Sequence, residues 1–290
     1  MGDSTIALLW EGARPKTLPA SLGPVIAAAG LTVYQHGFSL VRIVLAGGVA
    51  LFLQIGTNYA NDYSDGVRGT DEVRSGPRRL VASKAMSAAS VKRAAFVAFG
   101  VAGVLGLVLC LLSQWWLIGV GAAAILAGWF YTGGSKPYGY YGFGELFVFV
   151  FFGLVETLGT VYVQTERLIW QDWAVATALG LQITGILVAN NLRDISGDVQ
   201  SGKKTLAVRI GDRWTRALYV ACFAGSAIAL VPLGSVHPLA LFGVAACALA
   251  IPLSLSVLRG ANGPALIPVL VGSGRVVLVT SLALGVTLAL

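Results

Sequence analysis

The chain has 290 residues, of which 56% are hydrophobic and 11% charged, and its mean hydropathy is +0.79. That balance excludes an ordinary soluble globular protein, which carries far more charge. The formal charge of +7 does not imply nucleic acid, because the basic residues fall between long apolar runs.

Met1 to Trp10 has no basic stretch ahead of its apolar residues, so no secretory signal is expected. Arg14 and Lys16 then lead into the first of nine apolar runs, each near the roughly 20 residues that span a bilayer. The first is Leu18–Tyr34. The second, Leu40–Tyr59, runs out into Asn58, Asn61, Asp62, Asp65 and Asp71. Residues three or four apart share a helix face, so Gln54, Asn58 and Asp62 form one stripe with Asp65 close to it. A polar stripe on an apolar helix must face the bundle interior. The polar stretch from Asp62 to Arg93 carries Arg68, Arg78 and Arg79. Its Gly66 and Gly69 are expected to break the helix and fold Asp71 back.

The third and fourth runs are Ala94–Leu112 and Trp116–Tyr131, followed by a loop with Lys136, Tyr138, Tyr140 and Tyr141. The fifth, Gly144–Val163, contains Glu145 and Glu156; Glu156 is expected to bond to a neighbouring helix and is given no catalytic role. The sixth, Ala174–Asn190, ends in a second cluster of Asn190, Asn191, Asp194 and Asp198. On that helix end Asn190, Asp194 and Asp198 share a face. Arg193, Lys203 and Lys204 accompany them. Ala217–Pro232, Pro238–Val257 and Leu266–Leu290 complete the set. Cys110, Cys222 and Cys247 lie within apolar spans without metal-ligand spacing and read as buried hydrophobes. His36 and His237 fall in loops.

If the amino terminus is inside and the runs alternate, 17 of the 20 Lys and Arg residues fall inside, leaving Arg42 and Arg167 outside and Arg275 within the last span. The positive-inside rule then places both Asp clusters in the cytoplasm and the carboxyl terminus outside. Aligning Asp62 with Asp194 superposes Asn58 on Asn190. This suggests a single domain, 1–290, with a weak internal repeat of about 14–140 and 141–260 plus a final helix.

Gathered carboxylates repel unless a cation lies between them. Mg²⁺ is the natural guest, because it takes one or two carboxylates and fills its remaining positions with phosphate oxygens. Five carboxylates bring about −5 and a diphosphate about −3, while two Mg²⁺ return about +4. The deficit calls for Arg68, Arg78, Arg79, Lys136, Arg193, Lys203 and Lys204 as phosphate clamps; the other basic residues read as topology signals. A membrane enzyme acting on a phosphorylated, lipidic substrate is the resulting expectation.

At these residues the sequence resembles the UbiA-type superfamily of intramembrane prenyltransferases. Asn61-Asp62-Tyr63-Ser64-Asp65 with Asp71 is similar to its first Asp-rich motif, and Asn190-Asn191-Leu192-Arg193-Asp194 with Asp198 to its second. Arg14-Pro15-Lys16-Thr17-Leu18-Pro19-Ala20, Tyr131-Thr132-Gly133-Gly134, Pro137-Tyr138-Gly139-Tyr140, Gly144-Glu145 and the run from Gly202 to Val208 resemble the 1,4-dihydroxy-2-naphthoate branch of menaquinone synthesis. Asp71 follows Asp65 by six residues, where the commoner pattern has four.

The resemblance implies an all-α polytopic fold, about nine transmembrane helices around a central cavity with a cytoplasmic cap, in the cell inner or plasma membrane. It implies Mg²⁺, two ions, held by Asp62, Asp65, Asp71, Asp194 and Asp198. It further implies a polyprenyl diphosphate donor and a decarboxylating transfer to 1,4-dihydroxy-2-naphthoate. Asn58, Asn61, Asn190 and Asn191 would bind substrate beside the aspartates, Tyr131, Tyr138, Tyr140 and Tyr141 would meet the ring or the developing cation, and Arg14 or Lys16 would pair with the acceptor carboxylate. Rival readings are another aromatic acceptor such as 4-hydroxybenzoate, homogentisate or a porphyrin, a phosphatidyl-head-group transferase, and a transporter.

Overall fold

The computed structural model describes residues 4–15, 18–70 and 78–290. Lys16 and Asp71, both expected at the site, lie outside the described residues. All regular structure among the described residues is helical, as it must be where no water can satisfy a lipid-facing backbone.

A short helix, α1 (Thr5–Ala13), starts at Ser4, whose hydroxyl accepts the Ala7 N–H, and ends at Arg14 in the left-handed region (φ 57°). Nine apolar helices follow among the described residues: α2 (Leu18–Tyr34), α3 (Leu40–Arg68), α4 (Ala88–Leu112), α5 (Leu117–Phe130), α6 (Gly144–Thr165), α7 (Trp170–Gln200), α8 (Leu206–Ser235), α9 (Pro238–Leu258) and α10 (Gly263–Thr287). Seven of these are long and apolar enough to cross a membrane; α2 and α5, at 17 and 14 residues, are shorter. The nine sequence runs therefore correspond to seven full-length helices and two short ones.

The far end of the bundle, opposite the aspartates, is tied together by Arg42. Its guanidinium donates to the Val163 carbonyl of α6 (2.8 Å) and to the Leu112 carbonyl at the end of α4. Gln35 donates to Asp172 (2.9 Å) at the same level. Trp115, Trp116, Trp170 and Trp173 are exposed there, where amphipathic rings favour a membrane interface. With far ends so aligned, length decides the rest. α3 has 29 residues and α7 has 31, about 43 and 46 Å against a hydrocarbon thickness of about 30 Å. Their surplus turns project past the other end, and Asp62, Asp65, Asp194 and Asp198 lie on them.

The helices pack closely where glycines allow it. A Cβ on Gly153 would lie 2.4 Å from the Gly180 Cα, so α6 and α7 touch backbone to backbone, the small-residue packing usual between helices in lipid. Beside this contact α6 contains a π-helical segment, Phe149–Val155. A buried polar link holds α7, α8 and α10: Gln182 Nε2 donates to Ser226 (2.9 Å) and to Thr280 (3.2 Å). The three cysteines are free and buried.

The structure corrects one local expectation. α3 continues through Gly66 and stops only at Gly69, which takes φ 73° and donates its N–H to Asp65 and Gly66 carbonyls. Gly66 serves close approach instead, since a Cβ there would lie 2.6 Å from the Val81 side chain. The segment around Leu80 thus lies directly on the end of α3.

Candidate active site

A cavity of about 1460 Å³ runs through the bundle, walled by α3, α4, α5, α6, α7 and α10. Along α3 its wall extends from Asp65 to Ala46, 19 residues or about 28 Å at helical rise. The end near Asp65 is polar, with Asn61, Arg79, Asn190, Arg193, Asp194, Asp198 and Lys203; the rest is mostly aliphatic and aromatic, through Leu53, Leu107, Phe147, Phe151 and Val163. A long apolar chamber with one charged end suits a ligand of the same construction.

The polar end is built by the projecting turns of α3 and α7 together with the two loops beside them. Asp65 accepts from the Tyr140 hydroxyl (2.6 Å) on Oδ1 and meets Lys203 Nζ (3.3 Å) on Oδ2. Lys203 and Arg68 both lie over the Tyr140 ring, at 4.7 and 5.3 Å. Burial, and next the Asp65 charge, push the Tyr140 phenol well above its ordinary range, so it stays a hydrogen-bond donor at physiological pH. On α7, Arg193 grips Asp194 through two bonds of 2.7 Å and reaches Asn190 Oδ1 at 2.8 Å. Asp198 accepts from Thr205 (3.3 Å), and Asn191 donates to Glu145 (2.9 Å). Asn58 donates to the Ala13 carbonyl (3.0 Å), docking α1 on α3.

Several expected site residues stand elsewhere. Asp62 is 2% exposed and faces away from the cavity. Its two oxygens accept the Leu80 and Val81 N–H groups at 2.8 and 3.0 Å, so its charge holds a loop. Arg68 donates to the Thr132 and Gly134 carbonyls, fastening the α5–α6 loop. Arg78 meets Glu11 (3.9 Å) and Ser83 at the surface. Lys136 and Lys204 are exposed and off the cavity wall; Lys204 contributes its backbone, donating its N–H to the Tyr140 carbonyl and accepting from Arg209 Nε. Tyr131 and Tyr138 do line the cavity, stacked edge-on (5.6 Å), with Tyr138 flat on Phe147 (4.0 Å).

Tyr140 was expected to offer its ring; helical spacing could not show that its hydroxyl bonds Asp65, because that contact crosses 75 positions. Asn61 and Asp65 have a better claim than Asn58 and Asp62 to match Asn190 and Asp194: both pairs are four apart and both face the cavity.

Among the described residues no three His, Cys, Asp or Glu groups form a closed metal cage. What lines the polar end is Asp65, Asp194 and Asp198 with the amides of Asn61 and Asn190, all offering hard oxygen donors. That set fits Mg²⁺, which is seldom caged by protein alone and relies on substrate phosphate oxygens.

The sequence matches the UbiA prenyltransferase family over residues 21–270. It is 49% identical to the 1,4-dihydroxy-2-naphthoate octaprenyltransferase of Mycobacterium tuberculosis, across 96% of both chains. It is 38% identical to the enzyme of that description from Escherichia coli, over 79% of this chain and 77% of the relative. In fold it resembles a UbiA homologue from Archaeoglobus fulgidus bound to DMAPP and Mg²⁺, with a TM-score of 0.70 at 12% identity, covering 97% and 98% of the two chains. The apo UbiA homologue from Aeropyrum pernix gives 0.71 at 14% identity, covering 92% and 96%.

Proposed function

The chain belongs to the UbiA prenyltransferase family, and on that premise we propose that it transfers a polyprenyl group from its diphosphate to 1,4-dihydroxy-2-naphthoate in menaquinone synthesis. The observation that carries the reading is one cavity, about 28 Å long along α3, with Asp65, Asp194 and Asp198 at a polar end and an apolar chamber behind them. The relatives at 49% and 38% identity carry that activity in their names. As a multi-pass membrane enzyme it sets aside the transporter reading.

In the reaction the donor's C1–O bond breaks, the electron pair leaves with the diphosphate, and the electron-rich ring forms the new C–C bond at C1. The acceptor's carboxylate then leaves as CO₂, returning its bonding pair to the ring as the hydroquinone. Mg²⁺, of which we propose two ions held by Asp65, Asp194 and Asp198, supplies Lewis-acid stabilisation of the leaving diphosphate when bound. Lys203 and Arg193, already paired with Asp65 and Asp194, are placed to turn to phosphate oxygens, and Arg79 lines the same end. Tyr131, Tyr138 and Phe147 offer ring faces to the aromatic acceptor or the allylic cation. The apolar walls exclude the water that would capture such a cation.

We place the protein in the cell inner or plasma membrane with its amino terminus and Asp-bearing end cytoplasmic and its carboxyl terminus outside, supported by the basic residues at that end. The halves 14–140 and 141–260 are proposed as repeats, now paired through Asn61–Asp65 and Asn190–Asp194.

The test is turnover by purified protein with Mg²⁺, a polyprenyl diphosphate, and a panel of 1,4-dihydroxy-2-naphthoate, 4-hydroxybenzoate and homogentisate. Losing a fused ring costs about 1–3 kcal/mol in an apolar pocket, so kcat/KM should favour the naphthoate by about tenfold or more. The product should lack the carboxylate by mass. Equal or better use of 4-hydroxybenzoate would move the chain to another acceptor branch.

A further inference from the structure

Arg275 is the one basic residue that sequence places inside a span, on α10, and the mechanism above does not use it. An arginine at membrane depth is costly unless it faces a cavity or a partner. Here it lines the cavity and is also exposed, like Val271 one turn before it. It therefore stands at an opening in the cavity wall along α10. Among the described residues Arg275 has no hydrogen bond or ion pair, whereas the cations of the polar end are committed: Lys203 to Asp65 and Arg193 to Asp194.

Its depth follows from helix register. α7 and α10 run in opposite directions, and Gln182 of α7 bonds Thr280 of α10. Five residues back from Thr280 is Arg275, so it lies level with Leu187, five residues on from Gln182. Asp194 is seven residues beyond Leu187, about 10 Å nearer the polar end. A side chain on α10 tilts toward the helix amino terminus, which is the polar end, and an arginine extends that way readily. The guanidinium is thus set just below the layer where a diphosphate would be held. The same layer is aromatic on its other side: a Cβ on Gly144 would touch both Leu187 and Tyr131.

We propose that Arg275 anchors the carboxylate of the aromatic acceptor, fixing the ring between the α10 opening and Tyr131, with its reactive carbon toward the donor's C1. A planar fork with parallel donors suits a carboxylate held in the plane of its ring. The position at a side opening fits an acceptor that arrives from the bilayer while the polyprenyl diphosphate fills the chamber and the polar end. This assignment rests on the acceptor class proposed above.

The experiment compares wild type with R275Q and R275K in two ways. Steady-state kinetics should show the KM for 1,4-dihydroxy-2-naphthoate raised by about tenfold or more in R275Q, because a charge-assisted bond to the carboxylate is lost. R275K, which keeps the charge without the fork, should fall between, and the donor KM should move by less than about twofold. Equilibrium binding of 1-hydroxy-2-naphthoate and of 1-naphthol, followed by their own fluorescence, needs no turnover. The acid should lose affinity in R275Q while the naphthol, lacking the carboxylate, binds both proteins alike. An unchanged acid affinity, or equal losses for both ligands, overturns the assignment. Failure of the wild type to prenylate any aromatic acid instead overturns the proposed function, and the binding comparison still decides the role of Arg275.

Discussion

Two aspartates three residues apart on α3 do different work. Asp65 faces the cavity, held by Tyr140 and Lys203, while Asp62 is turned into the protein with both oxygens on backbone N–H groups. D65N and D194N should each lower kcat by about a hundredfold, the scale of lost electrostatic stabilisation at a developing charge. The Mg²⁺ concentration for half-maximal rate should rise in both. D62N also should lose activity, by a different route. An amide keeps one acceptor oxygen but turns an NH₂ toward the second backbone N–H, at a cost of about 1–3 kcal/mol. Its Mg²⁺ dependence should stay that of the wild type, with the loss seen as easier proteolysis near Leu80. A Mg²⁺ titration of the three variants separates the roles: a D62N curve shifted like D65N would make Asp62 a ligand after all. EDTA should abolish wild-type turnover and added Mg²⁺ restore it. By sequence Asn58 was paired with Asp62; Asn61 with Asp65 has the same spacing, and periodicity does not choose between the two. What separates them is where residues 80 and 81 lie, which only tertiary structure decides.

At the scale of elements, the spans were legible because hydrophobic length has one meaning in a bilayer. The polar ends of α3 and α7 were legible as helix as far as Asp65 and Asp198, since they continue helical spacing; that α3 runs on through Gly66 was not. The loops were not. Lys136, Arg68 and Arg78 have the charge of a phosphate clamp, but charge does not say which way a loop side chain turns; Arg68 is spent on the Thr132 and Gly134 carbonyls. Gly66 makes the point in a testable form. Its hydrogen is where Val81 packs, so G66A should force the Leu80–Val81 segment off α3 and cost about 1–3 kcal/mol by overpacking. V81A added to G66A should recover most of that loss in thermal stability. A methyl group on Gly100 of α4 would meet no neighbour within 4 Å among the described residues, so G100A should be neutral or stabilise by about 0.5–1 kcal/mol. If G66A melted like G100A, close packing of that segment on α3 would not be what fixes the glycine.

For the whole molecule the decisive property is orientation. The polar end must open to the compartment that supplies a charged diphosphate, and the fold by itself does not say which compartment that is. The distribution of Lys and Arg supports the cytoplasmic orientation proposed above, by the positive-inside rule. Single-cysteine labelling tests it once the buried Cys110, Cys222 and Cys247 are replaced. Ser87 caps α4 by accepting the Ser90 N–H, and Gln35 is bonded to Asp172, so both are poor sites for a probe. Exposed neighbours serve better: Ala89 on the first turn of α4 at the polar end, and His36 at the far end. A89C should react with a membrane-impermeant thiol reagent only after the cytoplasmic face is opened, and H36C should react in intact cells. The reversed pattern would put the aspartates outside and overturn the cytoplasmic placement of the site. The acceptor carries the same constraint more weakly, because a naphthoate is apolar enough to partition into lipid and reach Arg275 from the side.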